Sequence, residues 1–248
     1  MKNYVVQIID NKKISDRLFD LTLLCPELAK EAKAGQFVHI KCGGETLLRR
    51  PISICDTNED TLRLIIEIKG EGTKVLSKIQ KGKSLEVIGP VGNGFSDIDF
   101  SQKVVFVGGG LGCVPLLMHA KKYGKNALIL AGFRDKENIF LTQDYEKYGC
   151  KVIVATDDGS FGHHGYVTEL LKKELENGCK TVFACGPHVM LKGVAQLTQS
   201  EDVFCEISTE ERMGCGIGAC LVCACETKYG FKHVCKDGPV FNSKNLVF

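Results

Sequence analysis

The stretch that decides the fold is VVFVGGGLGCVP, at residues 104–115. Four apolar residues typical of a buried strand lead directly into a glycine-rich turn, and Pro115 suits the first turn of a following helix. Such a turn lets the backbone approach a pyrophosphate, while the helix N-terminus supplies N–H donors. The order of the glycines is not the usual G-x-G-x-x-G. The strand–turn–helix context nevertheless favours a nucleotide site over a plain turn. The candidate contacts are Gly108, Gly109, Gly110 and Gly112.

The segments that follow this turn alternate between apolar runs and amphipathic stretches. This alternation predicts a doubly wound parallel sheet, because β-α-β connections place helices on both faces of parallel strands. We predict strands at 104–107, 127–131, 152–155, 181–184 and 203–206, and helices at 114–123, 141–148, 167–177 and 188–199. The loop Cys185-Gly186-Pro187 follows the fourth strand and reaches the same carboxyl edge as the glycine-rich turn. It is either a second nucleotide contact or ordinary turn chemistry.

The chain before residue 100 has a different pattern, with short β-rich runs separated by turn residues. We predict strands at 4–9, 18–24, 36–41, 62–68 and 84–88, with one helix at 73–79. Taken as six short strands and one helix, this pattern indicates a six-stranded antiparallel barrel. The division predicted from the sequence is 1–100 for the barrel, 101–207 for the α/β domain and 208–248 for a cysteine-bearing appendage.

Four cysteines of that appendage are spaced as C-x4-C-x2-C followed by a more distant cysteine. They are Cys215, Cys220, Cys223 and Cys235. This spacing is typical of plant-type two-iron two-sulfur (2Fe-2S) sites, in which three thiolates come from one tight loop. The glycines of the loop should adopt positive φ angles and allow backbone N–H groups to point at the sulfurs.

Other interpretations of the cysteines remain open. A structural zinc site also uses four cysteines, but it usually has two C-x2-C-like knuckles, and the second is missing here. A disulfide framework fits poorly with 13 cysteines, an odd number. Cys225 lies two residues beyond Cys223 and could replace it as a ligand. Cys113, in the glycine-rich turn, has no evident role in the sequence.

The overall composition narrows the classes of function. The chain has 248 residues, is 44% hydrophobic and carries a formal net charge of +2, so no general case exists for nucleic-acid binding. No apolar run reaches the length of about 20 residues that a membrane helix needs. The many thiols favour a cytoplasmic location, because disulfides do not persist in a reducing compartment.

Two short motifs in the barrel could bind a phosphate-bearing cofactor. In Arg49-Arg50-Pro51-Ile52-Ser53 an arginine could clamp a phosphate and a serine could hydrogen-bond a heteroaromatic ring, although such a run is more often a solvated bend. Gly70-Glu71-Gly72-Thr73 precedes the predicted helix, with Thr73 a possible N-cap. It is either a capped helix start or a phosphate-binding helix terminus.

The order of these motifs resembles the ferredoxin–NADP reductase superfamily. The tail, from Glu210 through Met213-Gly214-Cys215 to Val234-Cys235-Lys236-Asp237-Gly238-Pro239, resembles one branch of it, the electron-transfer subunits of NAD-dependent (type B) dihydroorotate dehydrogenases. The resemblance implies cofactor contacts at matching positions. The flavin segment falls on Arg50, Pro51, Ile52 and Ser53, the middle segment on Ile65, Ile66 and Glu67, and the phosphate turn on Gly72 and Thr73. Cys185 is implied to lie near the flavin–nicotinamide junction, and the four cysteines are implied to be cluster ligands. The chain departs from the family at Ile66 and Glu67, where aromatic and basic residues are usual.

The resemblance also implies a function. A partner subunit containing FMN would oxidise dihydroorotate in pyrimidine (UMP) biosynthesis, and its electrons would reach NAD+ by way of the 2Fe-2S cluster and FAD of this chain, because a flavin can exchange both single electrons and hydride. Two copies of each subunit are implied. One alternative is the small subunit of another NAD(P)H:ferredoxin or sulfur-reducing oxidoreductase. An alternative of another class is a nucleotide-binding module with a structural zinc tail. Arg134 follows the second α/β strand, where a 2′-phosphate contact could arise, so NAD is assigned over NADP by the resemblance alone.

Overall fold

The computed structural model describes residues 2–43, 46–200 and 202–248. Its backbone contacts divide the chain into two compact units. The first comprises Met1–Gly94, Glu210–Cys225 and Lys232–Pro239, and the second comprises Phe95–Thr209, Glu226–Phe231 and Val240–Phe248. The segment after residue 209 is therefore shared between the units.

The first unit is built on an antiparallel sheet. Its strands are β1 (Lys2–Lys13), β2 (Leu18–Leu24), β3 (Phe37–Lys41), β4 (Arg50–Ser53), β5 (Asp56–Thr57), β6 (Thr61–Glu67) and β7 (Ser84–Val91), in the order β4-β3-β7-β1-β2-β6-β5. Alternate residues of β2 and β6 face the core, where Leu21, Leu23, Leu62 and Leu64 are fully buried. The sheet has seven strands rather than the predicted six, because the two-residue β5 pairs with β6.

Two short helices accompany this sheet, α1 (Pro26–Glu31) and α2 (Glu71–Lys78). Only α2 is predicted from the sequence. Helix α1 has six residues and begins after Cys25, whose side chain makes no capping hydrogen bond, so an N-cap signal is missing although Pro26 lies in the first turn. Both helices carry an acidic residue in the first turn and a lysine in the last, as the helix dipole favours.

The second unit is a doubly wound parallel sheet, as the alternation of segments predicts. Its strands are β8 (Val104–Gly109), β9 (Ala127–Phe133), β10 (Lys151–Thr156), β11 (His163–His164), β12 (Thr181–Cys185), β13 (Phe204–Ser208) and β16 (Val240–Asn242). They run in the order β11-β10-β9-β8-β12-β13-β16, and only β16 is antiparallel to its neighbour. Its helices are α3 (Cys113–Tyr123), α4 (Thr142–Lys147), α5 (Val167–Glu176) and α6 (His188–Ser200).

The strand order of this sheet reverses between β8 and β12. The chain moves outward from β8 through β9 to β10, then returns to the other side of β8 with β12. Ligands of open α/β sheets bind at such switch points, outside the carboxyl ends of the strands. The glycine-rich turn after β8 and the loop after β12 both lie there, which places the two predicted nucleotide contacts next to each other.

The remaining strands, β14 (Ala224–Thr227) and β15 (Gly230–His233), form a small separate sheet in the cysteine-bearing segment. Among the described residues, no helix has the length and apolar character needed to cross a membrane.

Candidate functional site: a cysteine loop and two phosphate-binding turns

The cysteine loop is shaped by backbone that favours glycine. Gly216 and Gly218 have φ angles of +72° and +78°, which confirms the prediction of positive φ in this loop. Leu221 also has a positive φ of 61°, a strained conformation for a non-glycine residue, and it is largely exposed. These three residues bend the chain tightly between the first and third cysteines.

The backbone N–H groups of this loop point at cysteine sulfurs. The amides of Ile217, Ala219 and Cys220 lie 3.4, 3.3 and 3.4 Å from the Sγ of Cys215, and Gly218 N lies 3.1 Å from the Sγ of Cys235. Donors aimed at sulfur stabilise thiolate charge. At Cys215 desolvation opposes ionisation, but the amides outweigh it and lower the thiol pKa to about 6. The loop is therefore organised to hold anionic sulfur.

The four candidate ligands fall into two pairs. Cys215 N lies 3.4 Å from the Sγ of Cys220, and Cys235 N lies 3.5 Å from the Sγ of Cys223. Among the described residues, no three histidine, cysteine or acidic side chains are arranged around a single metal ion. This pairing matches a di-iron cluster, in which each iron takes two protein sulfurs.

The pair Cys223 and Cys235 is buried, at 2% and 3% exposure, whereas Cys220 is exposed. Desolvation and the neighbouring Cys223 raise the thiol pKa of Cys235 to about 12. Cys225 is half-buried, and desolvation raises its pKa. The amide of Cys235 is aimed at Cys223, and this geometry favours Cys223 over Cys225 as the third ligand.

The chain after Cys235 is fastened to the end of strand β7. Asn93 N donates to Gly238 O at 2.6 Å, and the Asn93 side-chain amide donates to the carbonyls of Lys236 and Asp237. Gly92 has a φ of +78°, and a Cβ there would lie 2.5 Å from Gly238 O, so only glycine allows this approach. The fourth cysteine is thus anchored to the barrel sheet rather than carried on a free tail.

The motif around Arg50 is a strand in the structure and not a solvated bend. Arg50, Pro51, Ile52 and Ser53 are all half-buried on β4, which pairs with β3. Facing residues of an antiparallel ladder project from the same side of the sheet. Pro51 therefore shares a face with its partner His39, and Arg50 and Ile52 project from the opposite face.

Arg50 lies at the N-terminus of helix α2. A Cβ on Gly72 would lie 2.8 Å from the Nε of Arg50, so the guanidinium covers the first turn of the helix. The N-cap is Gly70, which has no side chain to occupy the helix's free N–H groups. A guanidinium beside open helix N–H groups is suited to a phosphate. Within the described part of the chain, Arg50 forms no ion pair with a carboxylate, which leaves its charge for such a ligand.

Thr73 stabilises this turn. Its Oγ accepts the amides of Lys69 and Gly70 at 2.9 and 3.2 Å and donates to Gly70 O at 3.1 Å. Thr73 sits at the third helical position rather than at the predicted N-cap. Because its hydroxyl reaches back to the preceding loop, it shapes the turn.

The middle segment of the predicted flavin site lies on β6. Ile65 and Ile66 are 4% and 2% exposed, and the Glu67 carboxylate is 2.6 Å from the Nη2 of Arg17 and 3.2 Å from the Nζ of Lys69. Buried isoleucines and a neutralised carboxylate offer little side-chain chemistry, so any cofactor contact here falls to the backbone.

In the second unit, the turn after β8 touches the loop after β12. A Cβ on Gly112 would lie 2.0 Å from Cys185 O, and a Cβ on Gly109 would lie 2.7 Å from the Cδ of Pro187. Gly186 has a φ of +158° and packs against the amide of Gly109. The predicted nucleotide contacts Gly108, Gly109, Gly110, Gly112, Cys185, Gly186 and Pro187 therefore meet at the switch point.

Gly110 is the open position of this turn. It has a φ of +53°, and nothing lies within 4 Å of the place where a Cβ would be. The turn leads into α3, an 11-residue helix with no acidic residue in its first turn. The accessible backbone at Gly110 precedes a helix N-terminus whose positive dipole end is not neutralised by an acidic side chain. Together they provide the N–H donors that a pyrophosphate requires.

Cys113 is a packing residue. Its side chain is 1% exposed, and a Cβ on Gly108 would lie 2.6 Å from its Sγ. Burial raises the pKa of this thiol to about 12, and the Oη of Tyr145 donates to the Cys113 carbonyl at 2.5 Å. The small sulfur side chain thus fills the space between the first turn of α3 and the end of β8.

His39 is the residue of this region that the sequence does not single out. Its side chain is 0% exposed, and neither ring nitrogen has a hydrogen-bond partner among the described residues. Desolvation, with Arg49 and Arg50, lowers its pKa to about 4, so the ring is neutral at neutral pH. A single histidine in an otherwise apolar strand gives no local signal of its role, because the contacts that define it come from the distant loop at Gly216.

Comparisons with known proteins agree with this architecture. A family model described as the iron-sulfur cluster binding domain of dihydroorotate dehydrogenase B matches residues 210–247. A solved structure of an NADH-dependent reduced ferredoxin-NADP oxidoreductase is similar, with a TM-score of 0.87 and 28% identity over 98% of this chain and 90% of that chain. A ferredoxin NADP+ reductase from Neisseria gonorrhoeae shares the fold at a TM-score of 0.66 and 19% identity over 81% of this chain.

Curated relatives match over the whole chain. The "Dihydroorotate dehydrogenase B (NAD(+)), electron transfer subunit" of Caldanaerobacter subterraneus subsp. tengcongensis is 39% identical, over 98% of this chain and 97% of its own length. The protein of the same name from Clostridium perfringens is 38% identical over 100% of this chain and 99% of its own length. The chain therefore belongs to the family of electron transfer subunits of NAD-dependent dihydroorotate dehydrogenase B.

Proposed function

We propose that this chain couples the oxidation of dihydroorotate by an FMN-containing partner subunit to the reduction of NAD+, in de novo pyrimidine (UMP) biosynthesis. The observation that carries this proposal is the loop of two cysteine pairs with amides aimed at their sulfurs, in a chain 39% identical to a named electron transfer subunit. Dihydroorotate itself is oxidised by the partner and not by this chain.

The cofactors are FAD and a 2Fe-2S cluster. When bound, they supply the conversion between the single electrons of a cluster and the hydride of a nicotinamide, which no protein side chain can perform. Arg50 and the N-terminus of α2 hold the flavin pyrophosphate, and Thr73 shapes the phosphate turn. Ile52 lines the flavin from the face of β4 that carries Arg50, whereas Pro51 and Ser53 project from the other face and contribute backbone. Ile65, Ile66 and Glu67 contribute backbone.

Cys215, Cys220, Cys223 and Cys235 are the cluster ligands. The amides of the loop favour the thiolate form of these cysteines. When a cluster is bound, hydrogen bonds to sulfur would also stabilise its more negative, reduced state. Ile217, Leu221 and Val222 are 52%, 61% and 54% exposed around Cys220. They form an apolar surface on which the catalytic partner docks close to the cluster.

The nicotinamide nucleotide binds at the switch point of the parallel sheet. Gly108, Gly109, Gly110 and Gly112 bring the backbone close to its pyrophosphate, and the N-terminus of α3 supplies N–H donors. The loop after β12 borders this nucleotide site opposite the glycine-rich turn, with Cys185, Gly186 and Pro187. NAD is assigned over NADP because the curated relatives are named for NAD(+).

The assembly is a heterotetramer with two catalytic and two electron-transfer subunits, and it acts in the cytoplasm. All 13 cysteines are free of disulfides, which is the state that a reducing compartment maintains.

The three functional segments are 1–100 for FAD, 101–207 for NAD and 208–248 for the cluster.

A second candidate function is that of a subunit of another flavin and iron–sulfur oxidoreductase. It is favoured by the similarity to the NADH-dependent reduced ferredoxin-NADP oxidoreductase structure, with its TM-score of 0.87. The identity to that protein is 28%, against 39% for a relative named as a dihydroorotate dehydrogenase subunit, and we therefore place this candidate second.

An anaerobic NADH titration of the purified chain tests the electron-transfer assignment. We expect bleaching of flavin absorption, together with the EPR signal of one reduced 2Fe-2S cluster per chain. A chain that binds zinc in the cysteine loop and gives no such signal after reconstitution with iron and sulfide would overturn it.

A further inference from the structure

His39 is a fully buried polar side chain without a partner. Its imidazole is 0% exposed, and neither nitrogen has a hydrogen-bond partner within the described residues. A buried polar group without a partner is destabilising, and an apolar side chain of similar size would fill the same space without that cost. His119 in the second unit is equally buried and also has no ring hydrogen-bond partner among the described residues, so burial alone does not show that a ligand completes the hydrogen bonding of His39. The surroundings of the ring carry that argument.

The position of His39 indicates which ligand that is. On strand β3 it pairs with Pro51 of the flavin-binding strand β4, and the two side chains project from the same face. A Cβ on Gly216 would lie 2.7 Å from the Nδ1 of His39, so this nitrogen faces the residue that follows the cluster ligand Cys215. Gly216 has a φ of +72°, and glycine is the one residue type that leaves room there for the imidazole ring of His39.

The ladder of β3 and β4 thus has two functional faces. Arg50 and Ile52 project from the face opposite to His39, and the cluster loop covers the face that carries His39. Both cofactor sites therefore border this pair of strands, and His39 is the polar side chain between the strand and the loop.

We propose that His39 is a positioning residue that ties the flavin-binding strand to the cluster loop and donates a ring N–H to the sulfur framework of the bound cluster. The proposal rests on the proposed function, since it requires the 2Fe-2S cluster. A neutral imidazole carries one N–H donor, and a donor aimed at sulfur stabilises the more negative, reduced cluster. His39 therefore raises the cluster's reduction potential and fixes its orientation relative to β4.

Two phenylalanine variants of the full-length chain, with its cofactors bound, test this proposal. His39→Phe keeps a ring and removes both nitrogens. His119→Phe is the matched control, because His119 is also 0% exposed but lies in the second unit among Phe95, Phe106 and Phe183. At a fixed potential, we expect His39→Phe to lower the ratio of reduced to oxidised cluster at least about threefold, whereas His119→Phe leaves that ratio unchanged.

Labelling gives a readout that a purely structural role would not change. With ¹⁵N-histidine, pulsed EPR of the reduced cluster should show a coupling that persists in His119→Phe and is lost in His39→Phe. His39→Gln keeps an N–H donor, so it should lose the histidine coupling but recover most of the reduction potential. If His39→Phe fails to assemble its cluster, the histidine coupling and reduction potential of His39→Gln are compared with those of the unmodified chain instead.

Two results would overturn the proposal. The first is a cluster in the His39 variants whose potential and histidine coupling equal those of the unmodified chain. The second is an unmodified chain that gives a normal cluster signal without any histidine coupling. Both leave the electron-transfer function intact, whereas an unmodified chain with no cluster signal would overturn the proposed function as well.

Discussion

At the scale of single residues, the cysteine loop shows why ligand spacing is informative and why neighbours of a ligand are not interchangeable with it. Cys223 is buried and receives the amide of Cys235, while Cys225, two residues on, is half-buried. The sequence leaves either one possible. The backbone geometry decides between them, because a ligand sulfur must face the loop and its N–H donors.

Exchanging these two thiols for hydroxyls should have opposite outcomes. Cys223→Ser removes a soft thiolate from a buried pair, and we expect loss of the normal 2Fe-2S absorption and EPR signals. Cys225→Ser should keep about one cluster per chain. Iron and sulfide analysis with EPR measures both, and a Cys225→Ser chain that lacks its cluster while Cys223→Ser retains it would reverse the assignment.

Arg49 and Arg50 are adjacent in the sequence, but their guanidinium groups contact different partners. The guanidinium of Arg49 contacts Glu86, with Nη1 3.1 Å from the carbonyl and Nη2 3.3 Å from the carboxylate, whereas Arg50 covers Gly72 at the N-terminus of α2. We expect Arg50→Gln to weaken FAD binding about 10- to 100-fold, since a charge-assisted hydrogen bond contributes about 1.5–3 kcal/mol.

Arg49→Gln is the control for that measurement. It should change FAD affinity by less than about threefold, because its guanidinium is already occupied by Glu86. Equilibrium titration of the flavin-free chain with FAD gives both constants. Equal losses in the two variants would mean that Arg50 has no special role in phosphate binding.

At the scale of elements, the turn after β8 depends on one close approach between backbones. A Cβ on Gly112 would lie 2.0 Å from the carbonyl oxygen of Cys185, and neither strand end can move without disturbing the parallel ladder of β8 and β12. Gly112→Ala should therefore lower the free energy of unfolding by about 1–3 kcal/mol. It should also raise the NADH concentration for half-maximal flavin reduction more than about tenfold.

Gly193→Ala in helix α6 is the matched control. Its added Cβ would lie 3.3 Å from the Cγ2 of Thr168, the end of a side chain, and alanine is favoured over glycine inside a helix by about 1 kcal/mol. Urea unfolding and stopped-flow reduction with NADH compare the two variants. A Gly112→Ala chain with unchanged NADH dependence would separate this turn from nucleotide binding.

The elements also show what can be predicted from a sequence. The parallel strands β8 and β12 are buried throughout and β9 is mostly buried, so each contains a continuous apolar run that can be predicted from the local sequence. Strand β4 begins Arg-Pro and is half-buried throughout, which gives neither alternation nor an apolar run. It forms because β3 pairs with it, and the pattern within β4 itself does not reveal that pairing.

The same limit applies to the candidate site. The cluster ligands and the phosphate turns can be predicted because their spacing is local and their glycines have specific conformations. His39 cannot, because its role depends on register with Pro51 and on a loop about 177 residues further along the chain. Cys113 is similar, since only the packing against Gly108 explains it.

At the scale of the whole molecule, buried histidines link stability to pH, and His119 is the one that lies outside the cluster loop and the barrel sheet. His119 is 0% exposed, and desolvation, with a smaller contribution from Lys122, lowers its pKa to about 4, although Asp97 opposes this. In the unfolded chain this histidine binds a proton with its ordinary pKa of about 6.5, but in the folded chain it stays neutral until the pH approaches 4. This contribution to stability is therefore complete above about pH 6.5 and is lost as the pH falls towards 4.

His119→Phe should make the chain less sensitive to acid. The phenylalanine ring keeps the aromatic contacts but cannot titrate. On going from pH 7.5 to pH 5, the free energy of unfolding should therefore fall by about 2 kcal/mol less in the variant than in the unmodified chain. Urea unfolding at the two pH values measures this difference. A pH dependence identical in both chains would show that His119 does not titrate on unfolding.

Electron transfer from a partner protein to a nucleotide is also a property of the whole molecule. The most direct test mixes the cofactor-loaded chain with its FMN-containing partner, dihydroorotate and NAD+ under anaerobic conditions, and follows NADH at 340 nm. We predict NADH formation that requires both subunits and is lost with Cys223→Ser. A partner that oxidises dihydroorotate with an artificial acceptor, yet forms no NADH when this loaded chain is present, would contradict the account.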